Sequence, residues 1–272
     1  MSIIDAYKMD GLGNNFLIID RRNNKVNLER QKIIHLAKKE QVNFDQLIYI
    51  ENKLDDVFPL EFFNSDGNEI DACGNGSRCV AYLLSKENNL KDIQLKTKER
   101  ILKAKIIEHF KVEINMGKPY FEWKQIPLSK NLDPKNIDIE IDGKKFNHGF
   151  AINVGNPHII FFVNDCLNID LKIIGPKIEN HTLFPNKCNV TFAQIDDRDN
   201  IKVNVWERGA GLTKACGTAA CATAVASSIK DMTNNKVKIK FKEGILNIDY
   251  NKDQNILMTG PVSEIKKIKI EI

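Results

Sequence analysis

The sequence contains an internal repeat, because its most distinctive residues recur at one separation along the chain. The tripeptide ACG occurs around Cys73 and again around Cys216, a separation of 143 residues (216 − 73). Two further pairs keep that separation and a third keeps 142 residues: Asn64 with Glu207, Gln46 with Asn189, and Gly13-Asn14 with Gly155-Asn156. A register held over half a chain is typical of two like domains that arose by duplication.

Hydrophobic periodicity predicts the same order of elements in both halves. The first half has predicted strands near 3–9, 16–20, 46–50, 58–63, 93–98, 101–107 and 111–115, and predicted helices near 28–41 and 74–87. The second half has predicted helices near 167–180 and 217–230, strands near 189–196 and 201–206, and three closing strands. The strand pattern stops at Gly117-Lys118-Pro119, where a turn is forced, and we place the domain break there.

Composition and charge limit the classes of protein to which this chain can belong. Hydrophobic residues make up 42% of the chain and charged residues 28%, as in an ordinary globular protein. The opening residues lack the apolar stretch of a signal peptide, and no apolar run is long enough for a membrane span, so we expect a cytoplasmic location. The net charge of +4 is scattered, and the basic segment 263–272 alternates with isoleucine as a strand does. Neither feature indicates a nucleic-acid partner.

The six cysteines do not have the spacing of a disulfide framework or of a metal site. A cytoplasmic compartment keeps thiols reduced. Neither Cys73 with Cys79 nor Cys216 with Cys221 has the C-x-x-C spacing, and no histidine pair completes a zinc set, so we expect no metal. Four of the cysteines fit ordinary buried positions in a core: Cys79, Cys166, Cys188 and Cys221.

Cys73 and Cys216 occupy equivalent positions in the two halves. Each follows a strand and a polar, glycine-rich loop, and each directly precedes a predicted helix, which opens at Gly74 or Gly217. The first turn of a helix offers N–H groups and the positive end of the helix dipole, which favour an anion such as a carboxylate. The same environment lowers the pKa of a cysteine from about 8.5 toward neutrality. We therefore predict a carboxylate site with a reactive cysteine at each helix start.

Two such domains placed face to face would bring both helix starts to one carboxylate, with a cysteine on either side. Removal of the α-proton of an amino acid places charge on that carboxylate, so N–H groups aimed there stabilise the transition state. One cysteine acts as thiolate base while the other acts as thiol acid on the opposite face, which inverts the carbon. The scheme needs no pyridoxal phosphate, metal or other cofactor.

Six segments, in order along nearly the whole chain, resemble motifs of the diaminopimelate epimerase family. They read MDGLGNNF, FDQL, FFNSDGNEIDACGNGSRC, NVGNPH, CNVTF and ERGAGLTKACGTAACA. This family interconverts LL- and meso-diaminopimelate on the bacterial route to lysine and peptidoglycan. The resemblance implies an α/β (α+β) fold of two pseudo-symmetric domains, each a curled, mainly antiparallel, barrel-like sheet around a central helix, with the active site in the cleft between them. It also implies that the last strand returns to the first domain, which predicts domains of 1–117 plus 263–272, and of 118–262.

The resemblance also implies roles for the residues at matching positions. Cys73 and Cys216 resemble the two catalytic acid/bases, and two further residues, His158 and Glu207, resemble those that tune the reacting end. The positions that resemble substrate-binding residues are Asn14, Gln46, Asn64, Gly74, Asn75, Asn156, Asn189, Glu207, Arg208, Gly217 and Thr218. Diaminopimelate is zwitterionic at both ends, which suits several amides and an arginine that grips a carboxylate bidentately. This small molecule is the one partner implied, and the sequence leaves a homodimer open.

Several of these residues also fit ordinary structural positions. The asparagines that fit turns beside Gly or Ser are Asn14, Asn64 and Asn156. His158 fits the edge of a strand, and Arg208 fits a surface ion pair with Glu207. The chain departs from the residues common in the family at Asp10, Asn15 and Ala219. The first two departures leave the fine geometry of the first loop open.

Other classes of protein remain open at this point. Proline and hydroxyproline racemases resemble the chain in fold and in their two cysteines, but they have histidine after the first CG and DRSPCG before the second helix, where this chain reads CGN and LTKACG. Phenazine-type isomerases of the same fold lack the cysteine pair. A thiol-redox protein normally has its cysteines close in sequence, and a pyridoxal enzyme that uses Lys214 leaves the first motif without a purpose. A non-catalytic amino-acid-binding protein would bind without hydrogen exchange.

Overall fold

The computed structural model describes residues 2–23, 25–98, 100–250 and 255–272. Within them the chain is a mixed α/β protein, mostly strands, with four α-helices. It divides into two compact units, which are Met1–Asn115 with Thr259–Ile272, and Met116–Met258. In the described part of the chain, no helix is long and apolar enough to cross a membrane.

The first unit is a mixed sheet that packs against a buried helix. Its strands are β1 (Ile3–Asp10), β2 (Asn15–Asp20), β3 (Gln46–Ile50), β4 (Val57–Asn64), β5 (Glu69–Ile70), β6 (Asp92–Lys96), β7 (Ile101–Glu108), β8 (Lys111–Asn115) and β18 (Lys266–Glu271), and its helices are α1 (Arg30–Lys38) and α2 (Gly74–Asn88). The strands pair in the order β18-β1-β2-β3-β4-β6-β7-β8. The β2–β3 and β4–β6 pairs are parallel and the others in this order are antiparallel.

The second unit has a similar sequence of strands and helices. Its strands are β9 (Ile137–Ile141), β10 (Lys144–Asn153), β11 (Pro157–Phe162), β12 (Asn189–Asp197), β13 (Asn200–Glu207), β14 (Gly211–Leu212), β15 (Lys236–Phe241) and β16 (Gly244–Tyr250), and its helices are α3 (Leu171–Glu179) and α4 (Gly217–Ile229). The strands pair in the order β9-β10-β11-β12-β13-β15-β16. The β11–β12 and β13–β15 pairs are parallel. Strand β17 (Ile256–Pro261) contains the boundary between the units.

Helices α2 and α4 are the buried helices around which each unit packs. α2 is buried from Gly74 to Ser85 and contacts β1, β3, β6, β7 and β8. Between Gly217 and Ile229, α4 consists of alanine, serine, threonine, cysteine and valine, and the helix contacts β10, β11, β12, β15 and β16. Small side chains allow a helix to be covered on several sides, and a helix without a charged face is buried. The first turn of each helix is thereby fixed within its unit.

The two buried helices and the strands that were given predicted bounds match the structure closely, whereas the ends of the other two helices do not. The prediction of helices at 74–87 and 217–230 is confirmed by α2 and α4. Helix α3 begins at Leu171 rather than near 167, because the Asp170 side chain accepts a hydrogen bond from the backbone N–H of Lys172 and caps the helix. Helix α1 ends at Lys38 rather than near 41, because Lys39 has extended backbone. No bounds were predicted for β9, β10 and β11, although His158 was expected at the edge of a strand and lies in β11.

Candidate active site

Cys73 and Cys216 are the N-cap residues of α2 and α4, as the sequence predicts. Their backbone angles are nearly the same, with φ −140° and ψ 116° at Cys73 and φ −136° and ψ 115° at Cys216. An N-cap residue directs its side chain toward the N–H groups of the first helical turn. Both residues thus stand at the positive end of a helix dipole, although only the Cys73 side chain makes a capping hydrogen bond there.

The Cys73 sulfur is bonded on two sides. It accepts a hydrogen bond from the backbone N–H of Gly76 at 3.4 Å, and its thiol donates to the Asn14 side-chain oxygen at 3.7 Å. Gly76 lies where the helix approaches the sheet, because a Cβ there would be 2.6 Å from the Ile48 Cδ1 atom and 3.2 Å from the Phe16 ring. The absence of a side chain at this position lets the first turn of α2 reach its place against β2 and β3.

Asp45 orients Asn14, although it was not among the predicted site residues. Its carboxylate accepts from the Asn14 amide at 3.2 Å and from the backbone N–H of Asn15 at 2.8 Å. Because the amide N–H₂ group of Asn14 faces Asp45, its oxygen is left to face Cys73. The FDQL motif contains Asp45 next to Gln46, so the motif carried the signal.

Gln46 and Asn64 lie beside each other in the same network. They are paired in register across β3 and β4, and the Gln46 amide donates to the Asn64 oxygen at 3.1 Å. The backbone of Asp45 accepts from the backbone N–H of Ser65 at 2.9 Å. The first unit therefore brings four of its predicted site residues into one chain of contacts: Asn14, Gln46, Asn64 and Cys73.

Cys216 is buried, with 4% of its surface exposed, and its sulfur lies 3.4 Å from the Thr218 hydroxyl oxygen. A helix start was expected to lower the pKa of a cysteine, but at Cys216 the pKa is raised. Burial raises the pKa of this thiol well above its ordinary value, and the negative charge of Glu207 raises it further. Hydrogen bonds from Thr218 and from the backbone of Ala219 oppose the rise without overcoming it. Cys216 is therefore a thiol at neutral pH.

Glu207 stands at the end of β13, next to Cys216 in space. Burial raises the pKa of its carboxyl group, and a hydrogen bond from the Cys216 side chain opposes that rise. The backbone N–H of the next residue, Arg208, donates to the Asn189 oxygen at 2.9 Å. The guanidinium of Arg208 reaches the backbone oxygen of Asn186 at 3.3 Å.

His158 lies in β11 and is completely buried. Its Nε2 atom is 2.8 Å from the Asn156 oxygen, so Nε2 carries the proton and donates it there. The Asn189 amide donates to the backbone oxygen of Pro157 at 2.9 Å, which ties Asn189 to the same strand. Burial lowers the pKa of His158 to about 3, and the Arg208 charge adds to that effect, so the ring is neutral.

The comparison with known proteins assigns the family. The family model described as diaminopimelate epimerase matches residues 6–122 and 150–265, which is most of the chain. The chain belongs to the diaminopimelate epimerase family. Enzymes of this family are isomerases. Among the described residues, no group of three or more His, Cys, Asp or Glu side chains is arranged to hold a metal ion.

Curated relatives in the diaminopimelate epimerase family match the chain over almost its full length. A diaminopimelate epimerase from Pelagibacter ubique (strain HTCC1062) is 54% identical over 272 residues, covering 99% of each chain. A diaminopimelate epimerase from Wolbachia sp. subsp. Brugia malayi (strain TRS) is 40% identical over 269 residues, covering 96% of this chain and 99% of that protein. At these identities the similarity extends well beyond the cysteine motifs.

Solved structures of lower identity share the fold of the diaminopimelate epimerase family. A phenazine biosynthesis protein of the PhzF family from Enterococcus faecalis is 14% identical, with a TM-score of 0.71 and 100% of both chains covered. A probable proline racemase from Agrobacterium radiobacter K84 is 12% identical, with a TM-score of 0.73, covering 100% of this chain and 93% of that one. These comparisons show a mixed α/β fold common to the three groups.

Substitution of His158 is expected to change how stability depends on pH. A histidine whose pKa is about 3 when folded and about 6.5 when unfolded takes up a proton first in the unfolded state. The contribution of His158 to the free energy of unfolding is therefore complete above about pH 6.5. It is lost as the pH falls toward about 3, at about 1.4 kcal/mol per pH unit. Urea unfolding at several pH values gives the slope of the free energy of unfolding against pH. In His158→Gln this slope should correspond to one proton fewer than in the parent, since glutamine does not titrate.

The matched control for His158 is His148→Gln, which replaces an exposed histidine of the same unit. The control should keep the pH slope of the parent. Equal slopes in the parent and in His158→Gln would contradict the assignment of His158 as a buried neutral side chain.

Proposed function

We propose that this chain interconverts LL- and meso-diaminopimelate, with Cys73 and Cys216 acting on one α-carbon as opposed base and acid. The observation that carries the proposal is that two cysteines, matched in the repeat, cap two buried helices with nearly the same backbone angles. The family and its closely similar relatives support diaminopimelate as the substrate. The proposed reaction uses no cofactor and no metal.

We also propose that the two units arose by duplication and form the domains 1–117 plus 263–272, and 118–262. Two observations support this. The family model matches two separate stretches of the chain, and the parallel strand pairs β2–β3 and β4–β6 of the first unit correspond to β11–β12 and β13–β15 of the second. In each unit the sheet curls around its buried helix, and the substrate lies in a cleft that both domains form.

The proton moves from one face of the α-carbon to the other. A cysteine thiolate removes the α-proton, and the electron pair left on the carbon spreads into the carboxylate. The backbone N–H groups at Gly74 and Asn75, and at Gly217 and Thr218, stabilise that charge. The thiol on the opposite face then donates its proton to the carbon, so the two cysteines exchange protonation states in each turnover. Cys216 is suited to begin as the thiol, because burial and Glu207 keep its proton on.

The remaining polar residues hold and orient the substrate in this proposal. The residues proposed as direct contacts are Asn14, Gln46, Asn64, Asn156, Asn189, Glu207 and Arg208. Arg208 binds a carboxylate, since its planar guanidinium donates two parallel hydrogen bonds. His158 acts through Asn156, whose amide oxygen it holds. A neutral, buried histidine with its proton committed to Asn156 is suited to orientation rather than to proton transfer with substrate.

Hydrogen exchange in deuterium oxide tests the proposal directly. The chain should introduce deuterium at the α-carbon of LL-diaminopimelate and form the meso isomer, while L-proline and L-lysine should gain no deuterium. Exchange into proline without exchange into diaminopimelate would make the chain a racemase of the related type. Binding of diaminopimelate without exchange of any hydrogen would make it a binding protein.

A further inference from the structure

Glu179 is a buried carboxylate that the proposed reaction does not use. It is the last residue of α3, and 5% of its surface is exposed. One carboxylate oxygen accepts from the indole N–H of Trp206 at 2.7 Å, and the other accepts from the backbone N–H of Gly209 at 3.0 Å. Both oxygens of the side chain are thus bonded to residues of one short segment.

The two donors enclose Glu207 and Arg208 in the sequence. Trp206 is the residue before this pair and Gly209 is the residue after it. The chain turns sharply here, with φ +74° at Gly209 and a hydrogen bond from the N–H of Ala210 to the backbone oxygen of Glu207 at 3.1 Å. Glu179 therefore fixes both ends of the turn that carries a carboxylate beside Cys216 and an arginine.

The face of α3 that carries Glu179 fits Trp206 closely. Gly175 lies one helical turn earlier, and a Cβ there would be 2.5 Å from the indole ring. Because Gly175 has no side chain, the indole ring of Trp206 packs directly against α3, and its ring N–H donates to Glu179. The C-terminal end of a helix disfavours a negative charge, so helix stability alone does not favour a carboxylate at this position.

We propose that Glu179 is a positioning residue that holds the Glu207-Arg208 turn in place through its bonds to Trp206 and Gly209. The inference rests on the proposed function, in which Glu207 and Arg208 serve the reaction. A carboxylate is required because each of its two oxygens accepts a hydrogen bond from a different N–H donor. A glutamine has one oxygen and one N–H₂ group, so one of the two donors would face another donor.

Three variants and a control separate this role from a general loss of packing. Glu179→Gln should lower kcat/KM about tenfold or more, with a fall in kcat because Glu207 is displaced and a rise in KM because Arg208 is displaced. Trp206→Phe keeps a ring and the Gly209 bond, and should cost less than about threefold. The double variant lets the glutamine oxygen accept from Gly209 while its N–H₂ group faces the phenylalanine ring, and should recover to the level of Trp206→Phe. The control Glu140→Gln alters an exposed glutamate of the same unit and should match the parent.

A readout that does not depend on activity accompanies the kinetics. Amide hydrogen exchange at Gly209, followed by NMR, should be faster in Glu179→Gln than in the parent and slow again in the double variant. If the parent has no activity on diaminopimelate, the proposed function fails, while hydrogen exchange at Gly209 still tests whether Glu179 holds the turn. A double variant no better than Glu179→Gln in both measurements would overturn the inference. So would an active parent whose kcat/KM is unchanged in Glu179→Gln.

Discussion

Cys73→Ala and Cys216→Ala should each lower the kcat/KM for diaminopimelate epimerisation by roughly a thousandfold or more, since each removes one of two groups that exchange a proton with the same carbon. The double variant should be hardly slower than either single variant, because residues that act as a unit have non-additive effects. Rates are measured from the appearance of the meso isomer when the enzyme starts from LL-diaminopimelate.

The controls for this experiment lie in the same two helices. Cys79→Ala and Cys221→Ala replace buried cysteines of α2 and α4 that are not at a helix start. Both variants should retain kcat/KM near the parent value after correction for the fraction of folded protein. Near-normal turnover in either Cys73→Ala or Cys216→Ala would contradict the two-base scheme.

The sequence predicted the part of the fold in which local signals agree. Helices α2 and α4 each begin at a glycine that directly follows a cysteine, and the predicted starts coincide with the observed ones. The ends of α1 and α3 depend on single residues such as Asp170, whose capping bond is not visible in a periodic pattern. Strand β11, PHIIFF, is fully apolar after its histidine, and period alone does not distinguish such a run from a helix segment.

The candidate site divides in the same way. The motifs predicted which residues stand near the two cysteines, and contacts among Asn14, Gln46, Asn64 and Cys73 are present in the first unit. The motifs did not predict the direction in which the pKa of Cys216 is shifted. A helix start lowers a thiol pKa, but the depth of burial and the position of a carboxylate from the preceding strand depend on tertiary packing. The role of Glu179 was equally hidden, because its two donors lie about thirty residues further along the chain.

Glu207→Gln should lower the pKa of the Cys216 thiol and slow turnover. The negative charge of Glu207 raises that pKa, so its removal stabilises the thiolate and the pKa moves down. Because Cys216 has to alternate between thiol and thiolate with Cys73, a changed pKa impairs its exchange of the proton, and an impaired acid/base group costs roughly a hundredfold in kcat. The pKa is measured from the pH dependence of alkylation by iodoacetamide in a Cys73→Ser background, where Cys216 is the remaining site cysteine.

The direction of this shift distinguishes two roles for Glu207. If the carboxylate acts through its charge on Cys216, alkylation in Glu207→Gln reaches its midpoint at lower pH than in the Cys73→Ser parent. If it only binds substrate, KM rises while the midpoint of alkylation stays where it was, and the electrostatic role is wrong. Glu243→Gln, at an exposed position of the same unit, gives the matched change of net charge and should leave both quantities unchanged. A midpoint that falls in Glu207→Gln and not in Glu243→Gln would show that the nearby carboxylate, rather than the net charge of the protein, controls the protonation of Cys216. A charge has its largest effect at short range in a buried site.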